Sequence, residues 1–200
     1  MLFGKKKKAV QEINPALFRI MTTAKIRLGK FNKQNYAGLI AWVESEEDLM
    51  QFAGPLLKFP LTPGQLDVPL SDKNRTAFTV ISNETNLTIG HAETYLTENT
   101  VKIGRILIGD KAHRGKGLGR QVVDLLLDFS FANFNRTVVE LNVFDWNINA
   151  IKCYEKAGFT INPVKTLERK VNDKTWTALN MVIDKGNYEK IKQKTTTAAP

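Results

Sequence analysis

The sequence predicts an α/β chain of the α+β kind: one mixed sheet with helices on its faces. Three observations lead there. Short β-rich runs alternate with longer runs of helical spacing, in the order β-α-(α)-β-β-β-α-β-α-β-β. One strand-like run ends in a glycine-rich loop that opens directly into an amphipathic helix. A length of 200 residues, 42% hydrophobic and 24% charged, suits one globular domain with a sizeable core.

Residues 1–23 read as a flexible basic arm, in which Lys5, Lys6, Lys7 and Lys8 supply most of the charge. Gln11, Glu12, Asn14 and Pro15 interrupt the apolar stretch a secretory leader would need. The domain proper is expected over 24–184. Ile26 to Leu28 forms its first strand, and Tyr36 to Met50 has mostly helical spacing. A second short helix begins near Asp48 and stops at Gly54-Pro55. Four of the seven prolines fall between residues 53 and 72, which predicts a loop-rich connector with one helical turn. Ala77 to Ser82 and Leu87 to Leu96 form a hairpin around Asn83-Glu84-Thr85-Asn86. Val101 to Ile108 is the next strand. Leu118, Val122, Leu125, Leu126 and Phe129 then make one helical stripe. Thr137 to Phe144 is β-rich, and Asn147 caps a helix that Gly158 ends. Phe159 to Ile183 holds two or three strands around Asn172-Asp173. Residues 185–200 read as a tail, aperiodic from Lys192 onward.

Composition excludes several classes. No run approaches the ~18 apolar residues of a membrane span, so a membrane protein is not expected. A single cysteine, Cys153, rules out an intrachain disulfide and a multi-cysteine zinc site. No metal is expected, and the location expected is cytoplasmic. The net charge of +9 favours an anionic partner, although residues 21–200 carry only +5 of it.

The segment with chemical content is Ile106-Leu-Ile-Gly-Asp-Lys-Ala-His-Arg-Gly-Lys-Gly-Leu-Gly-Arg120. Three glycines in five residues let the main chain approach a ligand closely. Their N–H groups, joined by the first-turn donors of the following helix, form an anion site. The P-loop pattern fails, because position 114 is Arg and Lys116 precedes Gly117. The dinucleotide pattern fails because position 120 is Arg.

What remains, Arg114-Gly-Lys-Gly-Leu-Gly119, resembles the acyl-CoA pyrophosphate loop of the GCN5-related N-acetyltransferases, the GNAT superfamily. A second segment strengthens the resemblance: Asn147, Ala150, Tyr154, Lys156, Gly158 and Phe159 match the family pattern N-x-x-A-x-x-x-Y-x-K-x-G-F. It begins 28 residues after Gly119, in the family's order and at its usual separation. The run from Trp42 to Thr62, with Ile89-Gly-His-Ala-Glu93 and Ile108-Gly-Asp-Lys111, is similar to the branch that includes ribosomal-protein N-terminal acetyltransferases.

The resemblance implies a sheet in which two parallel strands splay apart, with acetyl-CoA in the wedge. Its pantetheine arm would pair around Ile106, Leu107 and Ile108. Its pyrophosphate would lie on Arg114, Gly115, Lys116, Gly117, Leu118, Gly119 and Arg120. Asn147 would reach it from the far side, with Asn142 a weaker candidate. The implied reaction is direct attack of a primary amine on the thioester, with Tyr154 as general acid to the departing thiol. Val101 to Ile108 lacks the acidic residue some relatives carry, so Glu93 is the expected base, ahead of His91 and His113. Cys153 is expected to be a packing residue. The partner is a small-molecule or protein N-terminal amine, and a homodimer stays open. Two alternatives stand beside this: a nucleic-acid- or ribosome-associated module using the lysine arm, and a CoA-binding relative without catalysis.

Overall fold

The computed structural model describes residues 21–197, with side chains to residue 194. The basic run Lys5 to Lys8, and with it most of the expected arm, lies outside the described residues. The described residues form seven strands: β1 (Ile26–Lys30), β2 (Arg75–Ser82), β3 (Thr88–Leu96), β4 (Val101–Ile108), β5 (Val138–Phe144), β6 (Thr160–Val171) and β7 (Lys174–Asp184). Its helices are α1 (Tyr36–Ala41), α2 (Glu46–Ala53), α3 (Pro63–Ser71), α4 (Leu118–Asn133), α5 (Ile148–Ala157) and α6 (Lys185–Thr197). The sheet order is β1-β2-β3-β4-β5-β7-β6. All neighbours are antiparallel except β4 and β5.

That parallel pair is the feature that matters. β4 and β5 are in register only at Val101↔Val139 and Lys102↔Glu140, after which they part. The opening is aided by an extra residue in β4. His91 lies opposite Leu107 and Glu93 opposite Gly104, so three steps on β4 face two on β3. Arg105 absorbs the bulge with a left-handed φ of 49°.

Apolar side chains gather on both faces of the sheet. One cluster joins Ile26, Phe78, Val80 and Val139 to the α4 stripe of Val122, Leu126 and Phe129. The other joins Phe31, Tyr36, Leu39, Leu49 and Leu66 beneath α1 to α3.

The predicted elements recur with four differences. The helix expected over Tyr36 to Met50 is broken, because Ser45 caps α2 by accepting from the Asp48 N–H at 3.0 Å. Glu46, Glu47 and Asp48 then meet the positive end of that helix. The proline connector contains a full helix, α3, since Pro63 sits in its first turn where no N–H is needed. Met21 is 5% exposed and its carbonyl accepts from Leu28, so the domain starts earlier than residue 24. Residues 185–197 are helical rather than tail-like. Tyr188 stacks on Phe131, Ile191 packs at Gly158, and Lys192 pairs with Asp128.

Candidate active site

The diverging strands open a cleft of about 950 Å³. Of the residues expected from sequence, Glu93, Ile106, Leu107, Arg114, Asn147 and Tyr154 line it. Ile108 and the loop from Gly115 to Arg120 lie beyond the lining, continuing from Arg114 into α4.

On the β4 side the surface is main chain. A Cβ on Gly90 would meet the Leu107 carbonyl at 2.3 Å, and Gly109 N–H donates to Ile89 at 2.9 Å. Residues 107 and 109 therefore direct their polar groups toward β3. By strand alternation those of Ile106 point into the wedge, and those of Ile108 point to the same side just beyond its lining. This corrects the expectation for Leu107, whose contribution to the cleft is a side chain and not an edge hydrogen bond. The Ile108 carbonyl accepts from Arg114 Nε at 2.9 Å, and Gly109 accepts from Arg114 Nη2 at 3.1 Å. Arg114 thus fastens the loop to the end of β4.

The loop itself uses two glycines in left-handed conformation, Gly115 at φ 75° and Gly117 at φ 74°. Gly117 precedes α4, and no side chain caps that helix. The first-turn N–H groups therefore remain available beside the positive end of a 16-residue helix. A Cβ built on Gly115, Gly117 or Gly119 meets nothing within 4 Å, so this is open space against bare amides. These features fit the diphosphate of CoA. Arg120 is turned toward Asp124 at 2.8 Å, and Lys111 toward Glu44 at 2.8 Å.

On the β5 side, Asn147 caps α5 by accepting from Ala150 N–H at 3.2 Å. The helix ends at Gly158 with φ 97°. Between these stops Tyr154 packs its ring edge-on against Phe159, with centroids 6.1 Å apart. Its hydroxyl has no protein hydrogen-bond partner among the described residues. Burial pushes the phenol above its ordinary value, which keeps it protonated at neutral pH. Cys153, next on the helix, is also pushed up by burial and carries little thiolate.

Glu93 differs most from expectation. Its side chain is 7% exposed and is held by Arg75, by Arg105 Nη1 at 3.1 and 3.3 Å, and by His91 Nε2 at 3.1 Å. Burial acts to raise its pKa, but the His91 hydrogen bond and the charges of His91, Arg105 and Arg75 bring it down to about 2. A carboxylate so held is a poor proton acceptor. Its visible work is to position two arginines. Sequence reasoning missed Arg75 and Arg105, which stand 18 and 12 residues from Glu93 and share no local motif with it. His113 hydrogen-bonds Asp110 at 2.8 Å, away from the lining. No cluster of three or more His, Cys, Asp or Glu suited to a metal occurs among the described residues.

The family model for the acetyltransferase (GNAT) family matches residues 39–159, and the chain belongs to that family. Residues of this chain are 34% identical over 73 positions to a probable N-acetyltransferase of Bacillus subtilis, covering 36% of this chain and 39% of that protein. An aminoglycoside N(6')-acetyltransferase type 1 of Klebsiella pneumoniae is 38% identical over 53 positions, 26% of each. The matched segments thus span well under half of these relatives. Among solved structures, a spermidine N-acetyltransferase from Vibrio cholerae in complex with CoA and spermine superposes with TM-score 0.70 at 20% identity, covering 84% of this chain and 99% of that one. An aminoglycoside acetyltransferase in complex with coenzyme A and kanamycin gives TM-score 0.64 at 23% identity, over 82% and 98%. These superpositions establish the fold.

Proposed function

We propose that the protein is an N-acetyltransferase that moves the acetyl group of acetyl-CoA to a primary amine in a ternary complex. The observation that carries this reading is the β4–β5 wedge, with main-chain groups along one wall and the unpartnered Tyr154 hydroxyl opening onto the other. Acetyl-CoA, when bound, supplies an activated acyl carbon on a thiol leaving group. Ile106 and Ile108 hold the pantetheine arm along β4. The loop from Arg114 to Arg120 binds the diphosphate through Gly115, Lys116, Gly117, Leu118 and Gly119. Asn147, already a helix cap, borders the arm from β5.

The C–N bond forms as the C–S bond breaks. The ammonium gives one proton to water in the cleft before attack, and the second proton lost by the nitrogen replaces the one that Tyr154 gives to the sulfur. Tyr154 donates its hydroxyl proton toward the departing sulfur. Glu93 is not the base in this scheme; water in the cleft takes the ammonium proton. The names of the relatives, spermidine and aminoglycoside acetyltransferases, support amine acetylation as the reaction class. Placement in the ribosomal-protein branch rests on the resemblance of three segments and finds no support among these relatives. No helix among the described residues is long and apolar enough to cross a membrane. The test is release of free thiol from acetyl-CoA coupled to a 42 Da mass gain (about, for one acetyl group) on an amine. Thiol release without an acetylated amine would reject the reading.

A further inference from the structure

Resting on the acetyl-transfer reading, the charges in the cleft point to a particular acceptor: we propose that it is an amine that also carries a carboxylate, not a polycation. The argument begins with the acids. Three carboxylates line the cleft, and each already accepts from a protein donor. Glu44 is paired with Lys111 at 2.8 Å. Asp48 accepts the Glu44 main-chain N–H at 3.2 Å. Glu93 is shared by Arg75, Arg105 and His91. Only Asp48, exposed on α2, has no cation beside it among the described residues, so a chain of ammonium groups would meet one acidic side chain and not an acidic wall.

Among the bases, Arg75, Lys102 and Lys111 are paired with Glu93, Glu140 and Glu44, but two arginines keep donors free. Arg105 is 8% exposed, yet only its Nη1 is engaged. Its Nη2 and Nε have no hydrogen-bond partner among the described residues, and the side chain lines the cleft. Two arginines on one glutamate also leave a net positive charge at the bulge. Arg169, on β6, lines the same cleft and gives one hydrogen bond to the neighbouring Glu168 carbonyl at 2.8 Å. It has no ion pair among the described residues. The β6–β7 hairpin holds Arg169 over the cleft because Asn172 donates to Glu47 of α2 at 2.8 Å. A planar guanidinium with two free donors matches a carboxylate in geometry, and partial burial strengthens the pair.

The group transferred is the acetyl of acetyl-CoA, so N-acylated amino acid and free thiol are the products, with one proton released from the ammonium. The test uses pairs of acceptors alike except for this group: 4-aminobutyrate against 1,4-diaminobutane, and α-amino acids against their amides, alongside spermidine and kanamycin. Binding of acetyl-CoA to the full chain is measured separately by calorimetry. The expected result is a kcat/KM roughly 10-fold or more higher for the carboxylated member of a pair, the loss that a missing charged hydrogen bond produces. Arg169→Glu should reverse that preference through KM, leaving thermal stability and acetyl-CoA affinity unchanged. Arg105→Lys should raise KM for the carboxylated acceptor about 10-fold with intact folding by circular dichroism. Preference for spermidine, kanamycin or the diamine overturns the proposal and leaves acetyl transfer standing. So does the lack of turnover of every carboxylated amine by acetyl-CoA-bound protein. Failure of acetyl-CoA to bind defeats the parent reading instead.

Discussion

The two walls of the cleft offer different kinds of contact. Along β4 and into α4 the contacts offered are main-chain groups: the strand edge at Ile106 and Ile108, and the amides around Gly115 and Gly117. Across the bulge and beneath the β6–β7 hairpin they are side chains, Arg75, Arg105 and Arg169 among them, drawn from β2, β4 and β6. Main-chain recognition needs glycine at fixed places and tolerates little else there. Side-chain recognition is assembled from distant positions and can be respecified one residue at a time.

The sharpest way to break that division is at Glu93, which belongs to the second wall and is read here as a positioning residue. Glu93→Ala should lower folding stability by about 3 kcal/mol or more in denaturant titration, because two buried arginines lose their shared anion. Glu93→Gln should leave the acidic limb of the pH–rate profile where it is. A displaced limb would restore Glu93 as the base. The sign of the linked pH effect follows from a folded pKa of about 2 against an ordinary value of 4.5. The stabilisation from ionised Glu93 is complete above about pH 4.5 and is lost as pH falls toward 2. Chemical denaturation across that window should show a larger loss in wild type than in Glu93→Gln, the remainder coming from other carboxylates held below their ordinary values, Glu140 and Asp110 among them.

Tyr154→Phe comes next. It should reduce turnover by roughly 10-fold or more while changing acetyl-CoA affinity little, since the hydroxyl is unpartnered before the reaction begins. Unchanged turnover removes Tyr154 from the chemistry. The smallest effect is on the first wall. Gly117→Ala introduces a Cβ into open space at φ 74°, so the penalty is backbone strain of about 1 kcal/mol. Acetyl-CoA affinity should fall several-fold, with kcat at saturation preserved.

This contrast also explains what was legible in the sequence. Gly115, Gly117, Asn147 and Gly158 each announce a local conformation, and all four stand where the spacing put them. The strand, loop and helix of the first wall could therefore be read from one continuous segment. The Ser45 cap was equally local, but the apolar spacing from Tyr36 onward masked it. Helix α3 was obscured by Pro69 inside it. The docking of α6 depends on Tyr188 and Ile191 alone in a polar stretch, too little for a periodic signal. Of the Glu93 cluster, Glu93 and His91 could be read from the sequence, as neighbours on one strand face. Arg75 and Arg105 are remote in the chain, and only the β2–β3–β4 register and the Arg105 bulge bring them in.

The central claim is that the parted strands and the capless start of α4 form an acetyl-CoA site. Its most direct test is calorimetric titration of the full chain with acetyl-CoA, paired with a thermal-shift series so that a small binding enthalpy does not hide association. The account predicts saturable binding at one site per chain, a rise in melting temperature with ligand concentration, and weaker affinity in Gly117→Ala. No association in either measurement would contradict it.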